Sequence, residues 1–342
     1  MSHRDDAQDA PAAEVARRLI MGFRATQLLH VAAKLGIADL LKDGARDAAT
    51  MATAVGAHPS ALYRLLRALA SLGIFAETPD GRFELTPAAE TLRSDTPGSL
   101  RDLALLYGDE WVWNAYGRTS YSVMTGLPAF DLVHGQTLFE FLHLHPQAAA
   151  TFDRGMTAYS EREAVAVIDA YDFSAVSNLV DVGGGEGALL AAILNAYPQA
   201  YGVLFEQSSV IDRARNAMAH AGVADRCAMK PGNFFEAIPD GGDIYVMKSV
   251  LHNWDDMRSM TILRNCRDVM RSGSRLLIIE RVVPEGNEPS EAKLFDVNML
   301  VILGGLERTK TEYERILAQA GFDLTRVIPT KAPVSILEGE PR

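Results

Sequence analysis

Apolar residues along the first forty positions recur at helical spacing, with Val15, Leu19, Phe23, Val31 and Leu35 on one face and a break near Gly36. The first dozen residues are polar and mixed in charge, and read as a disordered tail. The stretch ATMATAVGAHPSALYRLLRALASLGIFAETPDGRFELT predicts a short helix, a turn at Gly56-Ala57-His58 and a second helix opening at Pro59. Two short strands, Ile74–Glu77 and Arg82–Leu85, then flank the turn signal Pro79-Asp80-Gly81. Helix, turn, helix and hairpin in that order predict a winged helix. Residues 100–170 carry a mostly helical pattern with an aromatic-rich patch, Trp111, Trp113, Tyr116 and Tyr121.

From Leu179 the pattern changes. NLVDVGG, YGVLFEQ, DIYVMKSV and SRLLIIERVV read as strands, with RCAMKPGNFF a weaker one. GALLAAILNAYP, the segment around Ser208–Ala221 and DDMRSMTILRNCRDVMRSG read as the helices between them. Such alternation predicts an α/β fold with a parallel sheet covered on both faces. The last segments, FDLTRVIPT and APVSILEGE, lie close enough to pair antiparallel. The 342 residues thus divide into an N-terminal region 1–100, connecting helices 101–170 and a C-terminal region 171–342.

Composition narrows the function. Hydrophobic content of 48% and charged content of 23% belong to an ordinary globular protein. A formal net charge of −11 argues against a broad electrostatic grip on nucleic acid or an anionic membrane. Arg64 and Arg67 on the second helix of the winged module therefore read as a solvated face, although a ligand-sensing transcription regulator stays an alternative. Cys227 and Cys266 cannot build a disulfide framework and fit a reducing cytoplasm. Neither a signal peptide nor a bilayer-spanning run is present in the pattern. His143 and His145 are too few for a metal site and, two apart, share no helix face, so no metal is expected.

The chemistry concentrates in Leu179-Val-Asp-Val-Gly-Gly-Gly-Glu-Gly-Ala188. Gly183 to Ala188 formally fits G-x-G-x-x-A, so a dinucleotide oxidoreductase competes. Asp181 points elsewhere: a carboxylate at the loop opposes a pyrophosphate but suits a ligand with ammonium and sulfonium charge. Glu206, 19 residues after Gly187 and at the end of the next strand, is placed to accept both hydroxyls of a ribose. His252 lies just past the carboxyl end of DIYVMKSV, where such a sheet presents its ligand crevice, and an imidazole there suits removal of a hydroxyl proton. Glu280, 28 residues further at the end of SRLLIIE, comes from an adjacent strand end and is a candidate partner for its second nitrogen.

VDVGGGEG, the acid at Glu206, GNFFEAIP, YVMKSVLHNWDD, LLIIERV and GGLERT occur in this order. Together they resemble the S-adenosylmethionine-dependent O-methyltransferases of the plant caffeate and bacterial natural-product type, over nearly the whole chain. The resemblance implies a Rossmann-like class I methyltransferase domain behind a winged-helix dimerisation domain, hence a homodimer. It implies S-adenosylmethionine as cofactor and S-adenosylhomocysteine as product, with Gly183 and Gly185 bordering the cofactor, Asn233 and Phe234 flanking the adenine and Lys248 near its far edge. Asn233 departs from the family, where an aspartate is common, yet its amide still accepts a hydrogen bond. Glu307 in GGLERT matches a second carboxylate beside the base. Phe152, Met156, Tyr159, Asn298 and Met299 match positions of an acceptor pocket for a small aromatic, and Asn253 is a further candidate there. SLRDLALLYGDEWVWNAY is closest to bacterial antibiotic and pigment enzymes, including those acting on phenazines and quinones. A relative performing hydroxylation or decarboxylation is expected to lack the base.

Overall fold

The computed structural model describes residues 12–342; the tail expected before them lies outside the described residues. Ala12–Lys34 is one helix of 23 residues. It ends where Gly36 takes φ 64°, a left-handed setting that glycine reaches without a Cβ clash. The apolar stripe on this helix is divided: Ala32 and Ala33 are buried, whereas Leu19 is 72% and Phe23 52% exposed.

The helix–turn–helix and hairpin form as the pattern predicts. Ala48–Val55 is capped by Asp47, whose carboxylate accepts the Thr50 amide hydrogen at 2.8 Å. Pro59–Ser71 follows, and β1 (Phe75–Glu77) pairs antiparallel with β2 (Phe83–Leu85). Met51, Leu66, Leu69, Phe75 and Phe83 meet in one small core, leaving Arg64 and Arg67 exposed on the outer face. Between residues 101 and 144 five short helices follow one another, and Pro146–Ala170 is a long one. The chain forms two compact units: one runs to Asn114 and includes His145–Ala158, the other holds Ala115–Leu144 and Tyr159–Arg342. The connecting region 101–170 is thus divided between them.

In the second unit, β3 (Asn178–Val182), β4 (Tyr201–Glu206), β5 (Cys227–Pro231), β6 (Ile244–Lys248) and β7 (Arg275–Glu280) are parallel. SRLLIIERVV is not one strand. It leaves the sheet at Arg281, and β8 (Val282–Val283) pairs instead with β9 (Arg308–Thr309). There the buried Glu280 carboxylate turns to the amides of residues 250–252 and the buried Arg281 guanidinium to the rings of Phe295 and Tyr159. β10 (Phe322–Pro329) and β11 (Ser335–Pro341) pair antiparallel, as expected, and β11 continues the sheet beside β7. The strand order is β10-β11-β7-β6-β3-β4-β5.

Both faces are covered. Leu179, Leu204, Val246 and Leu277 pack with Leu189 and Ile193 of helix Ala188–Ala196. Val180, Met247 and Ile278 point to the other face, against Ile262 and Tyr313 of helices Asp256–Val269 and Lys310–Gln319. Near-continuous apolar strands are what two buried faces require. The order of the strands reverses between β3 and β6, and an open parallel sheet forms its ligand crevice outside the carboxyl ends at that point.

Candidate active site

Past β3, Gly183, Gly185 and Gly187 all take positive φ, 70°, 59° and 82°. The glycines are required by space as well as by angle. A Cβ on Gly184 would stand 2.3 Å from the Asp181 Oδ2, and one on Gly183 would stand 3.0 Å from Val250 and 3.4 Å from Phe234. At Gly185 the same position meets nothing within 4 Å, so the loop presents bare backbone to open space there. Glu206, at the end of β4, accepts hydrogen bonds from the Gly185 amide at 3.1 Å and the Gln207 amide at 2.7 Å. Asp181 lies beneath the loop, 1% exposed, and neither carboxylate oxygen has a hydrogen-bond partner. Burial raises its pKa to about 7, helped by the Glu206 charge and resisted by Lys248. A buried carboxyl without a partner is costly and calls for a ligand or a proton.

Asn233 and Phe234 follow β5. The Asn233 carbonyl oxygen accepts from the Phe235 amide at 3.0 Å, and its amide donates to Glu236 at 2.9 Å. Phe234 lies between the Gly183 backbone and Trp254, with ring centroids 6.2 Å apart in the latter pair. The Lys248 ammonium pairs with Glu163 at 2.8 Å and donates to Ser160 at 3.2 Å.

The catalytic candidates meet on a single 3₁₀ turn, Leu251–Asn253, directly after β6. Ser249 enters it at φ 55°, the one described non-glycine residue with positive φ, a strained setting that persists only where surroundings enforce it. Here Asn253 donates its side-chain amide to the Ser249 carbonyl at 3.1 Å. Glu280 does not touch the imidazole of His252. One of its oxygens accepts the backbone amides of Val250, Leu251 and His252 at 3.0, 2.7 and 3.1 Å, and the other accepts the Tyr313 hydroxyl. Burial pushes the Glu280 carboxyl up, and the His252 charge holds it back. The imidazole's partner is Glu307, whose oxygen lies 2.8 Å from Nδ1 in a pair that is almost wholly buried. A carboxylate on Nδ1 keeps the proton there and leaves Nε2 as the proton acceptor. Burial works against the charged ring, but the Glu307 hydrogen bond with the Glu280 and Glu307 charges outweighs it, so the His252 pKa stands above its ordinary 6.5.

Two residues of this arrangement escaped sequence reasoning. Arg308, fully buried, donates to the carbonyls of Leu251 at 3.1 Å and Trp254 at 2.8 Å and pairs with Asp256 at 3.0 Å. Glu280 therefore holds the turn by its amides while Arg308 holds it by its carbonyls. Gly305 packs against the same backbone: a Cβ there would stand 2.0 Å from the His252 carbonyl oxygen. Their position inside GGLERT, beside Glu307, was the available signal. Gly305→Ala must displace the loop from His252, since both clashing groups are backbone. A misplacement of about 1 Å can cost about 10²-fold in rate, so kcat is expected to fall on that order with cofactor affinity kept; an unchanged kcat contradicts this packing.

Among the acceptor candidates, Met299 is buried and Asn298 half-buried, the latter accepting the Tyr116 hydroxyl at 2.8 Å. Tyr159 lies on the part of helix Pro146–Ala170 that belongs to the second unit, Phe152 and Met156 on the part in the first.

A carboxylate-backed imidazole thus lies at the switch point of a Rossmann-like α/β sheet, beside a bare-backbone loop and an acid-ended strand. Residues 116–323 match the O-methyltransferase domain and residues 17–95 the O-methyltransferase dimerisation domain. The chain belongs to the O-methyltransferase family, as its motifs imply. It is 43% identical to the phenazine O-methyltransferase PhzM of Lysobacter antibioticus, across 100% of both chains. It is 39% identical to the mitomycin biosynthesis 6-O-methyltransferase of Streptomyces lavendulae, across 97% of this chain and 95% of the other. The crystal structure of a calicheamicin-biosynthesis methyltransferase in its S-adenosylhomocysteine-bound form superposes with a TM-score of 0.88 at 37% identity, covering 98% and 100%.

Proposed function

We propose that this enzyme transfers the methyl group of S-adenosylmethionine to a phenolic or heteroaromatic hydroxyl of a small secondary metabolite, releasing S-adenosylhomocysteine. The observation that carries the reading is the buried His252–Glu307 pair at the crevice, with Nε2 left as acceptor. The residues fit the cofactor: Asp181 is an unpartnered buried carboxyl suited to cationic charge, Gly183 and Gly185 offer backbone, and Glu206 offers carboxylate oxygens to ribose hydroxyls. Phe234 supplies an aromatic face for the adenine, with Asn233 beside it and Lys248 tempering the charge of Asp181.

When bound, the cofactor supplies an electrophilic methyl carbon on sulfur. The protein's part is to hold the acceptor oxygen in line and to take its proton. A phenol of reference pKa ~10 is mostly protonated at neutral pH, and Nε2 accepts the proton as attack proceeds. Glu307 then stabilises the imidazolium, while Glu280 and Arg308 keep the turn from drifting. Tyr159, Asn253, Asn298 and Met299 are the acceptor-side residues of this unit. The phenazine and mitomycin relatives and the bound product in the calicheamicin relative support the substrate class and the cofactor.

The dimerisation domain and the exposed Leu19, Ile20 and Phe23 support a homodimer formed through the N-terminal region. Among the described residues no helix is long and apolar enough to cross a membrane; with both cysteines unpaired, a cytoplasmic location is proposed. The test is to identify the nucleoside that co-purifies by mass and to screen hydroxylated aromatics for a methyl gain. Retention of a nicotinamide or flavin dinucleotide instead, or no methyl gain on any acceptor, overturns the reading.

A further inference from the structure

One buried cation has no role in the reaction as derived so far. Arg281, where the chain leaves β7, is 4% exposed, and its Nε and Nη2 have no hydrogen-bond partner. Its guanidinium carbon lies 4.0 Å from the ring centroid of Phe295 and 5.4 Å from that of Tyr159. The stacking fixes the plane and leaves the N–H edge unused. Glu163 forms an ion pair with Nη2 at 3.6 Å, longer than a hydrogen bond, so that its facing oxygen also lacks a hydrogen-bond partner, while its second oxygen is engaged by Lys248 at 2.8 Å. Two cations thus share one carboxylate. Glu280 and Glu307 do not relieve this, since one is turned to the backbone amides of the His252 turn and the other to the imidazole. A buried donor edge left unmade is costly and asks for a partner.

Nε and Nη2 form the side-on edge of a guanidinium, the edge that takes both oxygens of a carboxylate in parallel hydrogen bonds. The same Phe295 ring lies 6.3 Å from the His252 ring, stacked at 14°. One phenyl ring is therefore shared by the guanidinium and the base. The geometry points to Arg281 as a specificity-determining residue that binds a carboxylate borne by the aromatic acceptor while its hydroxyl faces His252. This rests on the O-methyl transfer reading above and narrows its substrate class to hydroxylated aromatic acids.

The test compares 3-hydroxy-2-naphthoate with 2-naphthol as probes, by binding to the full chain saturated with S-adenosylhomocysteine. The wild type is expected to favour the carboxylate by about tenfold or more, the scale of a charge-assisted bidentate contact. Arg281→Met should bring the two probes level, Arg281→Lys should keep a smaller preference, and Glu163→Gln, which removes the competing acid, should widen it. Equal binding of both probes by the wild type, binding of neither, or a preference that survives Arg281→Met overturns the inference. The wild-type comparison needs no variant to fold, and thermal melts check those used. Because the readout is binding, it is separate from turnover: methyl transfer to hydroxyls without the carboxylate preference sinks this inference alone, and absence of transfer to every acceptor sinks the reading beneath it.

Discussion

His252→Ala is expected to lose about 10²–10⁴-fold in kcat, the usual contribution of a positioned general base, while binding S-adenosylmethionine within a few-fold of the wild type. The separation follows from the fold, because the cofactor candidates Asp181, Gly183, Gly185 and Glu206 sit on β3, β4 and the loop after β3, whereas His252 sits past β6 on a turn held from both sides. The pH profile gives a second check. His252 must be neutral to accept a proton, and its pKa lies above 6.5, so kcat/KM should climb on an acidic limb placed above that value. Glu307→Gln keeps an acceptor for the Nδ1 proton but removes the charge that helps to raise the pKa, so the limb should move to lower pH. Full turnover in the alanine variant removes His252 from the mechanism, and a wild-type limb below 6.5 contradicts the carboxylates' hold on its pKa.

The second large effect concerns stability. Arg308→Met removes the charged donor from the carbonyls of Leu251 and Trp254 and from the Ser259 hydroxyl, leaving that hydroxyl, 3.3 Å from each carbonyl, as the remaining side-chain donor, and strips Asp256 of a buried cation. Each hydrogen bond to a charged donor contributes about 1.5–3 kcal/mol, so a loss of at least that size is expected even though Asp256 is partly exposed and keeps Arg315. Arg315 is the internal control. It pairs with the same Asp256 at 2.7 Å but is 55% exposed, and pairs of that kind are worth about 0–1 kcal/mol. Urea midpoints of Arg308→Met and Arg315→Met should therefore lie far apart. If the two variants unfold together, Arg308 is not the clamp described here. In Arg308→Met, kcat should also fall at temperatures where the chain is still folded, since the turn that carries the base has lost its carbonyl anchors.

The largest elements were legible because their periods are strong. Leu179 to Val182 and Leu276 to Ile279 are apolar at every position but Asp181, as strands buried on both faces must be, and Pro59 and Gly81 punctuate the winged module by backbone geometry alone. SRLLIIERVV misled for the same reason: its composition is that of one strand, and nothing local shows that Glu280 and Arg281 turn away from the sheet. The helix from Ala12 showed its apolar face in sequence. That Leu19 and Phe23 remain uncovered within one chain is visible only when the rest of the unit is in place.

By itself the amino-acid sequence determined the order of elements, the glycine loop with its acid, and the set of motifs from which His252, Glu280 and Glu307 were drawn. The elements and the loop follow from short-range rules of spacing, turn chemistry and composition, whereas Glu307 was implied by the family resemblance of GGLERT. Which carboxylate meets the imidazole was decided only by tertiary structure, because 28 and 55 residues of intervening chain allow either pairing and the side-chain directions at β7 and β9 choose between them. The same holds for Arg281 and Arg308. An arginine looks alike in any sequence, and whether its donors are all engaged or left open depends on what distant elements bring within 3 Å of it.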